Sequence, residues 1–416
     1  MGLHEFLVDT IYFLVATLVL VPIFKWLKLG SVLGYIVAGI LIGPMGLELI
    51  DNSNSIVQLA ELGITLLLFI VGLELSPARL KKLRKSIVFE GGLQMTISML
   101  IFTGIGLLFN FDLKSVLIIS IALSLSSTAF TLSYLTDNSQ MTQSHGQSCL
   151  SILLFQDIII VPVLALLPLL NFDNSIGEIV SIQTIMFKIT IFSALILFCF
   201  FALKPVISLI KKTQDQEIYL ASFLFLIIGM AMGMEKLGLS MPMGAFIAGI
   251  FLANSEIKKN IKRMTLPFKG VLMGLFFMTL GMELDFNFIS NQWLKVTLLS
   301  LSIMMSKTTV LLIIGKIKSG KFSSGLKTGI LLSQSGEFGI ILIASALSAN
   351  LIEMNLNKLL VTSILITMII SPFLARLTEK ISSLPKHEHA DDEKSSVELN
   401  NVIELQVPVD VDKKAA

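Results

Sequence analysis

Gly34-Tyr35-Ile36-Val37-Ala38-Gly39-Ile40 returns 210 residues further on as Gly244-Ala245-Phe246-Ile247-Ala248-Gly249-Ile250. A second stretch, Phe69-Ile70-Val71-Gly72-Leu73-Glu74-Leu75, returns as Met278-Thr279-Leu280-Gly281-Met282-Glu283-Leu284, with 209 residues from Gly72 to Gly281. A third match at that spacing sets Ser124-Leu125-Ser126 on Ser333-Gln334-Ser335. Three matches at one offset are more than shared composition supplies. The chain therefore holds two copies of one unit, at approximately 31–170 and 240–377.

Each repeated stretch lies in an apolar run. The 416 residues are 54% hydrophobic and 14% charged, with a mean hydropathy of +0.85, and the charges group between apolar blocks, so an all-α polytopic membrane protein is expected. Hydropathy gives thirteen candidate spans: Phe6 to Leu27, Ser31 to Leu49, Ile56 to Leu75, Ile87 to Phe109, Ser115 to Tyr134, Ser148 to Leu170, Ile182 to Leu209, Ile218 to Met234, Ser240 to Ala253, Val271 to Met282, Trp293 to Ile314, Leu326 to Leu347 and Leu359 to Leu377. The loops after odd-numbered spans collect the Lys and Arg, among them Arg79 to Lys85, Lys258 to Arg263 and Lys316 to Lys327. Cytoplasmic loops carry that excess, which puts the N-terminus outside and the C-terminus in the cytoplasm. Seven spans separate repeat partners, so the two copies run in opposite directions through the membrane, as in the inverted repeats of secondary transporters.

Transporters of this kind bind their cargo near the midplane, between discontinuous helices. The third repeated pair supplies candidates for such breaks. Ser126, Ser127 and Thr128 crowd hydroxyls into the fifth span, and Ser333, Gln334, Ser335 and Glu337 bring polar groups into the twelfth. Between them in sequence, Leu153-Leu154-Phe155-Gln156-Asp157-Ile158 places a carboxylate near the middle of the sixth apolar run. Such a group costs about 2.5–3.5 kcal/mol on insertion scales and marks an ion or proton site by default. The repeat equivalent of Asp157 is Ile366, and that of Lys307 is Ser98. The acid and the base that break the symmetry come from opposite halves, and Lys307 is expected to pair with Asp157 or to tune its proton affinity. Glu74 and Glu283, at equivalent span ends, read as structural, and His145 as a solvated loop histidine.

A net charge of +2 with basic residues in short loops gives no support for nucleic-acid binding. Cys149 and Cys199 have no metal-ligand spacing and read as packing residues. No removable signal peptide is expected, because acidic Glu5 and Asp9 precede or open the first apolar run. No nucleophile and base motif points to an enzyme.

On Leu68 to Leu75, Leu125-Ser126-Ser127-Thr128-Ala129, Leu153 to Ile158, Met243 to Gly249, Pro267-Phe268-Lys269-Gly270 and Ser335-Gly336-Glu337-Phe338, the chain resembles the Kef-type potassium/proton antiporters of the cation/proton antiporter-2 superfamily, over essentially Phe6 to Leu377. The resemblance implies about thirteen transmembrane helices with crossed broken helices, residues 1–380 forming one antiporter domain, a homodimer in the lipid of the bacterial inner membrane, and Asp157 as the ion-binding carboxylate. It places Ser126 to Thr128 and Ser333 to Glu337 on the breaks. The Gln156-Asp157 pair looks like the Kef branch where relatives carry Asp-Asp or Asn-Asp, which favours K+ at Asp157. Gln156 offers a neutral oxygen that does not titrate.

Two departures from the Kef pattern bear on regulation. No Gly-x-Gly-x-x-Gly fingerprint follows Leu377, so the usual nucleotide-binding regulatory domain is expected to be missing from this chain or supplied by an ancillary subunit. The 381–416 segment reads as a polar, disordered cytoplasmic tail. The loop after the ninth span is basic rather than acidic, so glutathione control is not expected. The function implied is exchange of K+ for H+ by alternating access at one aspartate, with no tightly bound cofactor. A Na+/H+ antiporter and a ligand-gated K+ efflux channel are the alternatives.

Overall fold

The computed structural model describes residues 3–27, 29–50, 63, 65–66, 68–70, 72–73, 85–167, 216–236, 241–253, 255, 258–320 and 322–381. Among these the regular structure is helical, with no strand. The elements are α1 (Leu3–Trp26), α2 (Ser31–Ile42), a π-helical turn (Ile87–Gly91) running into α3 (Gly92–Leu108), α4 (Leu113–Ser124), α5 (Thr128–Asp137), α6 (Ser144–Leu166), α7 (Gln216–Lys236), α8 (Met241–Ala253), α9 (Lys258–Met282), α10 (Phe286–Asn291), α11 (Trp293–Ser319), α12 (Phe322–Leu331), α13 (Glu337–Ser348) and α14 (Met354–Ile381). The expected seventh span, most of the third and the 382–416 part of the tail lie outside the described residues.

Six described stretches are long and apolar enough to cross a bilayer: Leu7–Trp26, Ile87–Leu108, Leu113–Asp137, Ser144–Leu164, Trp293–Lys318 and Met354–Arg376. Their packing grades them. Only 17% of the apolar window in Leu7–Trp26 is buried, against 61% in Leu113–Asp137. The first is thus a peripheral helix whose Leu18 and Trp26 face outward, and the second lies at the heart of the bundle. A lipid solvent accepts such an apolar exterior, because helices satisfy their own backbone groups.

The helix boundaries follow local chemistry. The Asp112 carboxylate accepts the N–H groups of Lys114 and Ser115 and starts α4, and Gly320, with φ 64°, ends α11. Two of the boundaries that differ from the hydropathy reading move basic residues onto helices. α9 begins at Lys258 rather than Val271, so Lys258, Lys259, Lys262 and Arg263 lie on helical turns instead of in a loop. α11 runs on to Ser319 and carries Lys316 and Lys318 in its last turn, where cations complement the helix dipole.

The repeat is written into the packing. A Cβ on Gly39 of α2 would lie 2.0 Å from the Met278 carbonyl oxygen of α9, and a Cβ on Gly249 of α8 would lie 2.1 Å from the Phe69 carbonyl oxygen. Gly249 is the repeat partner of Gly39, and Phe69 that of Met278. The reciprocal contacts match as well: Gly281 would meet the Ile36 carbonyl at 2.2 Å, and Gly72 the Phe246 carbonyl at 2.3 Å. The second expected span packs on the tenth as the third packs on the ninth, which is the exchange of contacts that two copies of one unit require.

Candidate ion-binding site

Two helices of the bundle are interrupted where the hydroxyl-rich segments fall. Between α4 and α5 the chain is extended, with Leu125 at φ −70°, ψ 145° and Ser127 at φ −72°, ψ 112°. Between α12 and α13, residues 332–336 leave the helix, and Gly336 is extended at φ −110°, ψ −179°. The two breaks cross in contact, since a Cβ on Gly336 would lie 2.6 Å from the Ser126 backbone. Each break frees carbonyls that have no intrahelical partner. Serines satisfy them reciprocally: Ser126 Oγ donates to the Leu332 carbonyl at 2.9 Å, and Ser335 Oγ donates to the Leu123 carbonyl at 2.8 Å. The two bonds are repeat equivalents of each other.

Lys307 sits where the halves meet. Its fully buried Nζ donates to the Leu125 carbonyl at 2.8 Å and the Gln334 carbonyl at 2.7 Å. Leu125 and Gln334 are themselves 209 residues apart, so Nζ bonds equivalent carbonyls of the two breaks. Lys307 is expected from sequence to pair with Asp157 or to tune its proton affinity, and these two bonds join it to the breaks beside that acid. The hydrogen bonds of Lys307 go to backbone carbonyls, because the crossing leaves two convergent acceptors within reach of a multiply donating group from α11.

Asp157, buried in the middle of α6, takes a hydrogen bond at 3.2 Å from Thr128 Oγ1, and Thr128 is the first residue of α5. Glu337, the first residue of α13, accepts the Ala129 N–H through Oε1 at 3.4 Å. Carboxylates from opposite halves thus meet the same half-helix N-terminus, whose partial positive charge attracts anions. Gln156 faces elsewhere. Its Oε1 accepts the Ser126 N–H at 2.8 Å, and its Nε2 donates to Gln94 Oε1 at 2.8 Å and the Ser124 carbonyl at 3.3 Å. The neutral oxygen expected at the cation site takes the Ser126 N–H, which the break leaves without a helical partner.

The remaining expected residues divide between the crossing and local capping. Gln334 is held by Ser371 Oγ on its Oε1 at 3.0 Å and donates to Thr131 Oγ1 at 3.3 Å. Ser127 caps α5 by accepting the Phe130 N–H, and Ser333 Oγ donates to the Ile330 carbonyl of its own helix end. Glu283 stands just past α9, and Glu74 lies outside the described residues. His145 is buried rather than solvated, with its Nε2 3.0 Å from Gln140 Oε1. α6 starts at Ser144, earlier than hydropathy indicates, and draws the ring into its first turn.

Three residues escape the sequence reading. Gln94 is fully buried against Gln156. Glu90, on the π turn, is 2% exposed and accepts Lys318 Nζ at 2.6 Å and the Ser86 hydroxyl. Lys318, whose sequence position marks only topology, also donates to Ser148 Oγ at 3.2 Å. Glu90, Gln94 and Ser98 recur every fourth residue, the spacing of one helix face, and that stripe inside an apolar span is the available signal.

Among the described residues no group of three or more His, Cys, Asp or Glu could hold a metal ion. What the site offers is two acids, hydroxyls and freed backbone groups. An inverted-repeat bundle with crossed broken helices and a buried acid beside them is the architecture of a cation/proton antiporter, a multi-pass integral membrane transporter. The transmembrane sodium/hydrogen exchanger family matches residues 13–376, and the chain belongs to it. Solved structures share the fold. The sodium proton antiporter MjNhaP1 from Methanocaldococcus jannaschii at pH 8 superposes with a TM-score of 0.61 at 15% identity, covering 91% of this chain and 100% of that one. A second structure of the same antiporter, by electron microscopy, gives 0.58 at 16% identity with both chains covered fully.

Proposed function

We propose that the protein exchanges a monovalent cation for protons by alternating access at Asp157. The observation that carries this reading is the buried Asp157 carboxylate bonded to Thr128, on the helix that starts at the crossing. The carboxylate takes either a proton or a largely dehydrated cation, and competition for it couples the two fluxes with no covalent step. Thr128 and Glu337 line the cation position beside Asp157. Ser126, Ser127, Ser333, Gln334 and Ser335 hold the breaks open, and Gln156 and Lys307 brace them. Residues 1–380 act as one transport domain in the inner membrane, as a homodimer, with the N-terminus outside and the basic loops in the cytoplasm.

The cation is K+, on the Kef-like Gln156-Asp157 pair. Na+ is the second reading, favoured by membership in a sodium/hydrogen exchanger family. The deciding experiment is a proton-gradient dequenching assay in proteoliposomes with K+, Na+, Rb+ and Li+, run with and without a voltage clamp. Dequenching by K+ at lower concentration than by Na+ supports the first reading, and the reverse order the second. A cation current without proton counter-transport would overturn both in favour of a channel.

A further inference from the structure

The polar stripe on the π turn and α3 is not accounted for by the transport reading, yet it reaches the site directly. Gln94 Nε2 donates to the Ser124 carbonyl at 3.1 Å and to Ser98 Oγ at 3.2 Å, while Gln94 Oε1 accepts Gln156 Nε2 at 2.8 Å. Ser124 is the last residue of α4, so its carbonyl is one of those the break leaves without a helical partner. The two amides are locked head to tail. Gln94 must point its nitrogen at the Ser124 carbonyl, which leaves its oxygen for Gln156 Nε2, which in turn leaves Gln156 Oε1 for the Ser126 N–H. Only one orientation of each amide satisfies every donor and acceptor in this buried set.

The phase of Gln94 is set one turn earlier. The π turn Ile87–Gly91 widens the helix, and such single-turn insertions rotate the residues that follow relative to the preceding face. A Cβ on Gly91 would lie 2.2 Å from Phe155 Cβ, so the turn seats directly on the residue before Gln156. Glu90, within the turn, is tied to Lys318 at the end of α11 and through it to Ser148 near the start of α6. The ion pair therefore fastens the π turn to the two helices that carry Lys307 and Asp157.

We propose that Gln94 is a positioning residue for the ion site: through Gln156 and the Ser124 carbonyl it fixes the α4–α5 break, and with it the reach of Thr128 to Asp157, while the Glu90–Lys318 pair holds the π turn that keeps Gln94 in register. The inference rests on the reading of Asp157 as the cation and proton carrier. Gln94 touches no cargo. Its effect is to keep one backbone geometry at the break, so its loss weakens cation capture more than it slows turnover.

The test is cation-titrated proton-gradient dequenching in proteoliposomes of the full chain, with melting in detergent as the folding control. Gln94→Leu, similar in volume but without the amide, is expected to raise the half-saturating K+ or Na+ concentration about tenfold, the scale of one to two lost buried hydrogen bonds, with a smaller change in maximal rate. Glu90→Gln and Lys318→Met are expected to shift half-saturation in the same direction, and the reversal Glu90→Lys with Lys318→Glu to recover part of it. Gln94→Glu keeps the acceptor for Gln156. Protonated, it also supplies the donor for Ser124, so its half-saturation approaches that of wild type at acidic pH and departs from it at alkaline pH. That signature survives even if Gln94→Leu does not fold. Wild-type half-saturation and pH profile in both Gln94 variants would overturn the proposal, as would a lower melting temperature and maximal rate with half-saturation unmoved. Absence of cation-driven dequenching in the wild-type protein overturns the antiport reading itself and is told apart by occurring before any substitution.

Discussion

The side-chain oxygen of Gln156 accepts the backbone N–H of Ser126 at 2.8 Å, so the residue beside the buried acid is a brace for the broken helix. Replacing it tests that role. Gln156→Leu leaves the Ser126 N–H and Gln94 Oε1 buried without their partner, at about 1–3 kcal/mol for each stranded group. The melting temperature in detergent is expected to fall and exchange to be lost. Gln156→Glu keeps an acceptor for Ser126 and is expected to melt closer to wild type. Equal melting of Gln156→Leu and wild type would show that the brace does not matter.

Asp157→Asn is nearly isosteric, and its amide oxygen still accepts the Thr128 hydroxyl. The fold is therefore expected to survive with its melting temperature within a few degrees of wild type. Dequenching by any of the four cations should drop to the level of empty liposomes, because an amide neither titrates nor offers a counter-charge to the cargo. Residual exchange above that level would assign the carrier role to another acid, with Glu337 the next to substitute.

Lys307 Nζ bonds one carbonyl from each half. Lys307→Met strands two buried acceptors and is expected to cost several kcal/mol, about 1–3 kcal/mol for each stranded group. Thermal unfolding in detergent should show it as the largest loss among single substitutions at the crossing, exceeding Ser126→Ala and Ser335→Ala. Those two remove equivalent bonds, to Leu332 and Leu123, and are expected to match one another.

The repeat, the membrane class, the hydroxyl-rich breaks and the buried acid are all legible in sequence because each leaves a one-dimensional mark: a fixed offset, a hydropathy run, or a polar residue where lipid forbids one. Lys307 is legible by the same means, yet its partners are not, since the carbonyls of Leu125 and Gln334 carry no residue-type signature and exist as free acceptors only once both helices open. Gln156 reads as a cation ligand for the same reason. Its chemistry fits a ligand and a backbone brace equally well, and sequence carries no sign that its oxygen accepts the Ser126 N–H. Glu90 and Lys318 stand in sight but apart, 228 residues from each other, and a basic residue at a span end has a sufficient topological explanation.

The glycine pairs give the fold its sharpest test. Gly39 and Gly249 are repeat equivalents, and a Cβ on either would lie 2.0 Å or 2.1 Å from a backbone carbonyl oxygen of the facing helix. Backbone atoms of a packed helix do not yield as a side-chain tip does, so the helices must separate. Because the two contacts are the same contact in inverted copies, Gly39→Ala and Gly249→Ala are expected to fail alike, with folded yield in detergent reduced severalfold for each. Gly104, inside α3, is the control, since a Cβ there would have nothing within 4 Å. The added methyl meets open space and alanine's helix propensity adds up to about 1 kcal/mol, so Gly104→Ala should melt at or above wild type. Fluorescence size-exclusion and thermal shift on the three variants measure this directly, and a folded, stable Gly39→Ala alongside a failed Gly249→Ala would break the equivalence on which the inverted-repeat packing is built.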